Sequence, residues 1–278
     1  MNCDNLTVVI PVKNEEMTLP ICLAAIGKDF ARKIVVLDSD SQDDTCKIAN
    51  DWGAEVLQFS WDGKYPKKRN WFLKNYQPTT QWVLFLDADE VLTTEFKNEI
   101  QQCLSDEKFD GYWLNYTNYF QGKKMRGGYP LHKLALFKVG HGLYEEIDEL
   151  NWSKLDMEIH EHPIIQGKVG KINAHIDHRD LRGMEHYVSK HAEYALWEAR
   201  RLQKAKADLT AVQQWTMKQK VKYRLLQTPF AGFIFFIGSF IFLGGFLDGR
   251  RGLSFAMLKA SYFNLISKRL KELNNSTT

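Results

Sequence analysis

Within residues 1–90, four short apolar runs, at 6–12, 34–38, 54–60 and 82–86, each end in a polar turn. Runs of this length, rich in β-branched and aromatic residues, are read as buried strands. The segments between them predict helices over roughly 17–27, from the polar 38–45 loop to Trp52, and over roughly 66–76. Strands that are apolar on both faces and alternate with helices require a parallel sheet covered on both sides. The expected fold class is therefore α/β, Rossmann-like, with a mostly parallel sheet. A chain of 278 residues has room for one such domain and an appendage.

In an open parallel sheet the carboxyl ends of the strands form one rim, and ligands bind there. Acidic turns fall at that rim after three of the expected strands: Asn14-Glu15, Asp38 to Asp40, and Asp87 with Asp89. In an extended segment residues i and i+2 point the same way. Asp87 and Asp89 are thus expected to converge on one hard cation, Mg²⁺ or Mn²⁺, with positions left open for phosphate oxygens. The first turn reads Pro-Val-Lys-Asn-Glu-Glu, not the glycine fingerprint of a dinucleotide fold, and no P-loop lysine motif occurs. Cys3, Cys22, Cys46 and Cys103 lack Cys-x-x-Cys spacing, which argues against a zinc or disulfide framework and fits a reducing cytoplasm. A net charge of +3 gives no reason to expect a nucleic-acid partner. The amino terminus shows no signal-peptide apolar region.

Beyond an expected helix near 94–104 the pattern changes. Residues 111–120 and 132–139 read as strands, 121–131 as a Gly-rich loop, and 140–162 as an irregular acidic stretch. Met184, Tyr187, His191, Tyr194 and Trp197 repeat at helical spacing in a helix expected over 180–206. Residues 225–247 carry no charge, and within them Phe230 to Leu247 is just long enough to span a bilayer. Basic residues flank it on both sides (Lys218 to Arg224; Arg250 and Arg251), which favours a re-entrant or interfacial helix pair over a single span. Residues 252–273 read as an amphipathic helix suited to anionic headgroups.

Val-Ile-Pro-Val-Lys-Asn-Glu at 9–15, the Val-Val-Leu-Asp-Ser-x-Ser-x-Asp-x-Thr string at 35–45, and Leu-Asp-Ala-Asp-Glu at 86–90 together resemble family 2 glycosyltransferases of the GT-A fold. Further strings resemble the bacterial lipopolysaccharide inner-core glucosyltransferases, with capsule and exopolysaccharide enzymes sharing them. They include Asn118-Tyr-Phe-Gln-Gly122, Gly127-Gly-Tyr-Pro130, Leu136-Phe-Lys138, His160-Glu161, His175, Arg179-Asp180 and Gly245-Phe-Leu-Asp-Gly249. Two positions depart from the family pattern, Asp40 and Asp44, where glycine is usual.

The resemblance implies an inverting, metal-dependent transfer of a hexose, with glucose as the family expectation. The donor would be a UDP-sugar and the acceptor a lipid-anchored glycan at the cytoplasmic face of the inner membrane, with a peripheral attachment or one membrane span. The expected domains are a catalytic domain over 1–180, with a nucleotide half at 1–105 and an acceptor half at 106–180, and a helical region over 181–278 that holds the membrane-associating segment 225–247 and the amphipathic helix 252–273. Pro11, Asn14 and Glu15 would line the base and ribose pocket. Asp38 would accept a uracil or ribose hydrogen bond, and Asp40 would add a carboxylate nearby. Arg69 would approach the diphosphate. Asp87 would contact ribose or the metal's surroundings, Asp89 would ligate the metal, and His160 would stand beside it. Glu161 is the expected general base, with Asp148, Glu145 and Glu146 as rivals. A polyprenyl-phosphate glycosyltransferase would share the donor site. A nucleotidyltransferase would also use paired aspartates, but commonly opens with a basic Gly-rich loop that this chain lacks.

Overall fold

The structure, a computed structural model, describes residues 2–147, 149, 152–159, 161–207 and 217–275. His160 and Asp148, a proposed metal neighbour and a rival base, lie outside the described residues. The chain divides into two compact units, Met1–Tyr119 with Leu131–Leu181, and Phe120–Pro130 with Arg182–Thr278. The Gly-rich segment Phe120–Pro130 thus groups with the helical unit and not with the sheet domain to which the 1–180 boundary assigned it.

In the first unit the elements run β1 (Cys3–Val12), α1 (Leu19–Ile26), β2 (Ala31–Asp38), α2 (Thr45–Trp52), β3 (Glu55–Gln58), α3 (Lys68–Asn75), β4 (Trp82–Phe85), β5 (Glu90–Val91) and α4 (Thr94–Leu104). β6 (Gly111–Phe120) follows; the short β7 (Lys123–Lys124) falls in the second unit, and the first resumes with β8 (Leu131–Lys138), β9 (Gly142–Tyr144), β10 (Pro163–Ile165) and β11 (Val169–His178). The main sheet has the order β3-β2-β1-β4-β8-β6-β11-β5. Its first four strands are mutually parallel; β8 is antiparallel to both β4 and β6, and β11 runs parallel to β6. β9 and β10 form a separate antiparallel pair. Val8, Val9, Ile10, Val35, Val36, Val83 and Leu84 are fully buried, as strands covered on both faces must be.

β11 had no counterpart in the sequence reading. Its register against β6 shifts between Lys171 and His175. There the Glu99 carboxylate of α4 accepts from the N–H groups of Asn173 (2.8 Å) and Ala174 (2.7 Å), so the bulged backbone keeps its hydrogen bonds.

The second unit holds α5 (Gly183–Ala207), α6 (Met217–Leu226), α7 (Ala231–Ile237), a π turn (Gly238–Phe242), a 3₁₀ turn (Gly245–Asp248) and α8 (Gly249–Asn275). Its core gathers Ala195, Ala199 and Leu202 of α5 with Tyr223, Leu226, Phe263, Ile266 and Leu270. The buried face of α5 therefore lies toward its carboxyl end; of the stripe expected from sequence, Met184 is exposed and Tyr187 instead stacks on His191 at 3.8 Å. No single helix among the described residues is long and apolar enough to cross a membrane. The segments Ala231–Phe242 and Gly245–Asn275 form a pair bent by 71°.

The Gly-x-x-Asp-Gly and Gly-Gly-Tyr-Pro strings meet inside this unit. The Asp248 carboxylate accepts from the backbone N–H of Arg126 (2.9 Å) and Gly127 (3.1 Å), and Gly128 N–H donates to Leu243 O (2.8 Å). A Cβ on Gly127 would lie 2.3 Å from Gly244 O, and one on Gly252 would lie 1.8 Å from Gly245 O. Alanine inside a helix gains about 1 kcal/mol over glycine, but overpacking against backbone costs about 1–3 kcal/mol or more. Gly252→Ala is therefore expected to destabilise the protein despite its better helix propensity. Urea denaturation is the measurement, and a stability equal to or above wild type would contradict the close approach.

Candidate active site

The first two acidic turns are tied together by hydrogen bonds. Asn14 and Asp40 both hold left-handed backbone conformations (φ 55° and 57°), which asparagine and aspartate tolerate better than most residues. This explains why glycine is usual at position 40 in the family pattern; the Asp40 side chain itself is exposed. Ser41 Oγ donates to Asp38 Oδ1 (2.5 Å) and accepts from Asn14 N–H (2.8 Å), while Gln42 N–H donates to Asn14 Oδ1 (2.8 Å). Asp38 is buried and its second oxygen accepts from Ser41 N–H, so its carboxylate shapes the loop. Glu15 N–H donates to Thr45 Oγ1 (2.7 Å), and the Glu15 carboxylate accepts from Thr18 at the start of α1 (2.6 Å). Pro11 lies in the buried end of β1, opposite Leu37 of β2.

The start of α3 is the hub of the site. Lys67, Lys68, Arg69 and Asn70 are all buried, although three consecutive bases ordinarily mark a solvated helix face. Each cation has its own destination. Lys67 Nζ bridges Glu149 (2.5 Å) and Glu161 (2.9 Å). Lys68 Nζ donates to Val12 O at the end of β1 (2.9 Å) and lies 3.4 Å from Asp156. Arg69 Nη2 donates to Asp87 Oδ1 (2.6 Å), and its Nη1 donates to the Glu158 carbonyl. The Glu158 carboxylate caps the helix, accepting from the N–H groups of Arg69 (2.9 Å) and Asn70 (3.0 Å). An anion at a helix amino terminus satisfies donors that have no partner within the helix.

Asp87 sits between two cations. Lys133 Nζ of β8 lies 2.5 Å from Asp87 Oδ2 and also pairs with Glu90. Burial opposes the charge on Arg69, but Asp87 outweighs it and the guanidinium is held more firmly protonated than usual; Lys133 behaves likewise between Asp87 and Glu90. Burial pushes Glu90 up to about 7, against the pull of Lys133. Glu90 also fixes the turn, accepting from Asp87 N–H (3.1 Å) and from Tyr116 OH (3.4 Å).

The two aspartates are not arranged as the extended-strand argument requires. β4 ends at Phe85, and Glu90 N–H donates to Asp87 O (2.9 Å), closing a β-turn across Asp87–Glu90. Alternation therefore does not apply. Asp87 meets Arg69 and Lys133, whereas Asp89 meets His178 at the end of β11, with Oδ1 and Nε2 3.6 Å apart. That separation is too long for a hydrogen bond, yet both atoms can lie about 2.1 Å from one cation. Burial, acting against Asp89, lowers the His178 pKa and favours the neutral imidazole that metal ligation needs. Asp89 and His178 fit a divalent ion, whereas both Asp87 oxygens are engaged by cations. Among the described residues no group of three or more His, Cys, Asp or Glu is placed to hold a metal.

A family model for glycosyl transferase family 2 matches residues 7–178, well over half the chain. The chain belongs to this family.

Relatives of this family 2 chain match only in part. An uncharacterised glycosyltransferase of Rickettsia typhi is 31% identical over 38% of the chain and 35% of its own length. The 4,4'-diaponeurosporenoate glycosyltransferase of Staphylococcus haemolyticus is 30% identical over 38% of the chain and 30% of its own length. The chain thus spans about a third of the length of these relatives. Among solved structures, glucosyl-3-phosphoglycerate synthase of Mycobacterium tuberculosis aligns over 43% of the chain and 45% of its own, with 22% identity and a TM-score of 0.32.

Several residues of the charged cluster around Asp87 and the start of α3 are given no role by the sequence motifs. Lys67, Lys68, Lys133, Glu90, Glu158 and His178 were all unassigned. The Lys-Lys-Arg-Asn string was visible, but the carboxylates that bury it come from residues 149–161, far along the chain. The expected base, Glu161, is itself buried against Lys67, with Oε2 accepting from Ile159 N–H (2.7 Å). Burial raises and Lys67 lowers its pKa, with a net lowering. Glu145, Glu146 and Glu161 line one cavity of about 290 Å³ on the Lys67 side of α3.

Proposed function

We propose that this chain transfers a hexose, with glucose the first donor to test, from a UDP-sugar to a lipid-anchored glycan with inversion at the anomeric carbon. The observation that carries the reading is Asp87 held between Arg69 and Lys133, beside the Asp89–His178 pair, at the ligand-binding rim of the sheet. Pro11, Asn14, Glu15 and Asp38 shape the base and ribose side, with the exposed Asp40 at its edge. Mg²⁺ or Mn²⁺ held by Asp89 and His178 would supply charge stabilisation for the departing diphosphate. Arg69 and Lys133 add fixed positive charge on the same side. The bond from the anomeric carbon to the diphosphate oxygen breaks as the acceptor oxygen bonds to that carbon. The hydroxyl proton passes to the Glu161 carboxylate, which Lys67 keeps ionised. The inner-core strings favour a lipopolysaccharide acceptor. A polyprenyl-phosphate or exopolysaccharide acceptor would use the same donor site.

Purified protein with Mn²⁺ is expected to hydrolyse UDP-glucose slowly without acceptor, and EDTA should stop the reaction. A panel of nucleotide sugars would identify the donor. No turnover of any UDP-sugar, with UDP bound no better than buffer, would sink the reading.

A lipid-anchored acceptor calls for an enzyme that sits on the cytoplasmic membrane surface. What supports this is the exposure of Phe230, Phe233, Phe242, Phe246 and Leu247, with Phe242 82% exposed, next to Arg250 and Arg251. Phe242→Ser with Phe246→Ser should lower the fraction that co-sediments with vesicles of anionic lipid several-fold. Unchanged sedimentation would place the attachment elsewhere.

A further inference from the structure

The cavity on the Lys67 side of α3 is more than a lodging for Glu161. Its volume of about 290 Å³ is near the lower end of the range for ligand pockets and has room for a sugar ring. Trp61 and Tyr65 form part of its wall. The Trp61 indole N–H is already donated to Lys64 O (2.7 Å), so Trp61 brings ring carbon and no free donor to the wall, while Tyr65, whose OH accepts from Asn70 (3.2 Å), carries Lys74 Nζ over its ring at 4.3 Å. Aromatic rings of this kind cover the apolar side of a sugar. At the cavity edge Glu149 is 6% exposed, and its Oε2 accepts no hydrogen bond among the described residues. A buried acceptor without a donor is costly, and a ligand hydroxyl would supply one.

The charge of the lining discriminates among sugars. Five glutamates face it against Lys64 and Lys67, and Lys67 is already bound to Glu149 and Glu161. An anionic ring would bring a further negative charge into a poorly solvated, already acidic space, where like charges repel strongly. We propose that this cavity is the acceptor-sugar subsite and that it selects an uncharged pyranose over an acidic one. The assignment rests on the glycosyltransfer reading, since Glu161 lines the same space and must reach the acceptor hydroxyl. Glu149 is then a positioning residue that holds the ring and shares Lys67 with the base.

The test is saturation-transfer NMR on the full chain with methyl glycosides of glucose, galactose and mannose, and of glucuronic acid, alongside calorimetry of UDP with Mn²⁺. At least one neutral glycoside should bind, and the glucuronide at least tenfold more weakly. Trp61→Ala should abolish the glycoside signal with the melting curve intact. Glu149→Gln, which leaves Lys67 paired with Glu161, should narrow the preference for neutral over acidic sugar several-fold. UDP bound but no neutral glycoside bound would overturn the subsite alone, as would equal binding of the glucuronide. Displacement of the glycoside by UDP-glucose but not by UDP would make the cavity the donor's sugar site and overturn the acceptor assignment. Failure of UDP itself to bind would overturn the underlying reading and the acceptor assignment with it.

Discussion

Asp89→Ala should reduce transfer about 10³-fold, equivalent to about 4 kcal/mol of lost transition-state stabilisation, while the fold stays intact. The Asp89 carboxylate is buried beside His178, with Oδ1 3.6 Å from Nε2, and alanine removes the oxygen that the proposed metal needs. What holds the chain here is backbone, with Arg179 N–H donating to Asp89 O (2.7 Å), and alanine keeps that bond. The retained backbone bond keeps the turn in place, and the melting temperature serves as the control for folding. Asp89→Asn should behave similarly, since an amide cannot replace the charge. Turnover rates with saturating Mn²⁺, read beside the melting temperature, decide the matter. A variant that folds and turns over normally would remove Asp89 from the metal site.

The second large effect concerns stability. Lys67→Met should destabilise the protein by about 3–5 kcal/mol at neutral pH, because it leaves Glu149 and Glu161 buried without their shared cation. The loss should shrink on acidification. In the wild type, Glu161 has a lowered pKa; burial alone would raise it, and Lys67 overcomes that. Its contribution is present above the unfolded carboxylate value of about 4.3 and fades as pH falls through the lower folded value. Glu149 runs the other way, raised by burial against the pull of Lys67. Without Lys67 both folded values rise above the unfolded one. The variant is then most stable below about pH 4.3 and loses stability as pH rises through the new folded values. Urea denaturation at pH 5 and pH 8 should give a smaller gap between the two proteins at pH 5. A gap that is absent, or the same at both values, would mean that Lys67 is not the counter-ion of a buried pair.

The amino-terminal half of the sheet was legible because its signals are local. Short β-branched runs ended in acids, and the turn residues Asn14 and Asp38 announced themselves by type. β11 was hidden by its own chemistry: Lys171, Asn173, His175 and Asp177 break up any apolar pattern, and its bulge is stabilised from another element, by Glu99. The aspartate turn misled because strand alternation does not reach Asp87 and Asp89, which lie two and four residues past the end of β4. The burial of Lys67, Lys68 and Arg69 could not be read locally, since a string of bases has the same letters whether it faces water or distant carboxylates. Lys133 lacked any motif; only the antiparallel return of β8 beside β4 brings it to Asp87.

The beginning of α3 carries an implication for inheritance. Lys67 caps the helix in an extended conformation, Lys68 and Arg69 diverge by about 100° on its first turn, and the three neighbours serve three separate addresses: the cavity, the end of β1 and Asp87. Inserting or deleting one residue ahead of Lys67 would send every one of these side chains to the wrong place at once. Lys-Lys-Arg should consequently drift among descendants as a single heritable word, its spacing held more strictly than the spelling of any one letter.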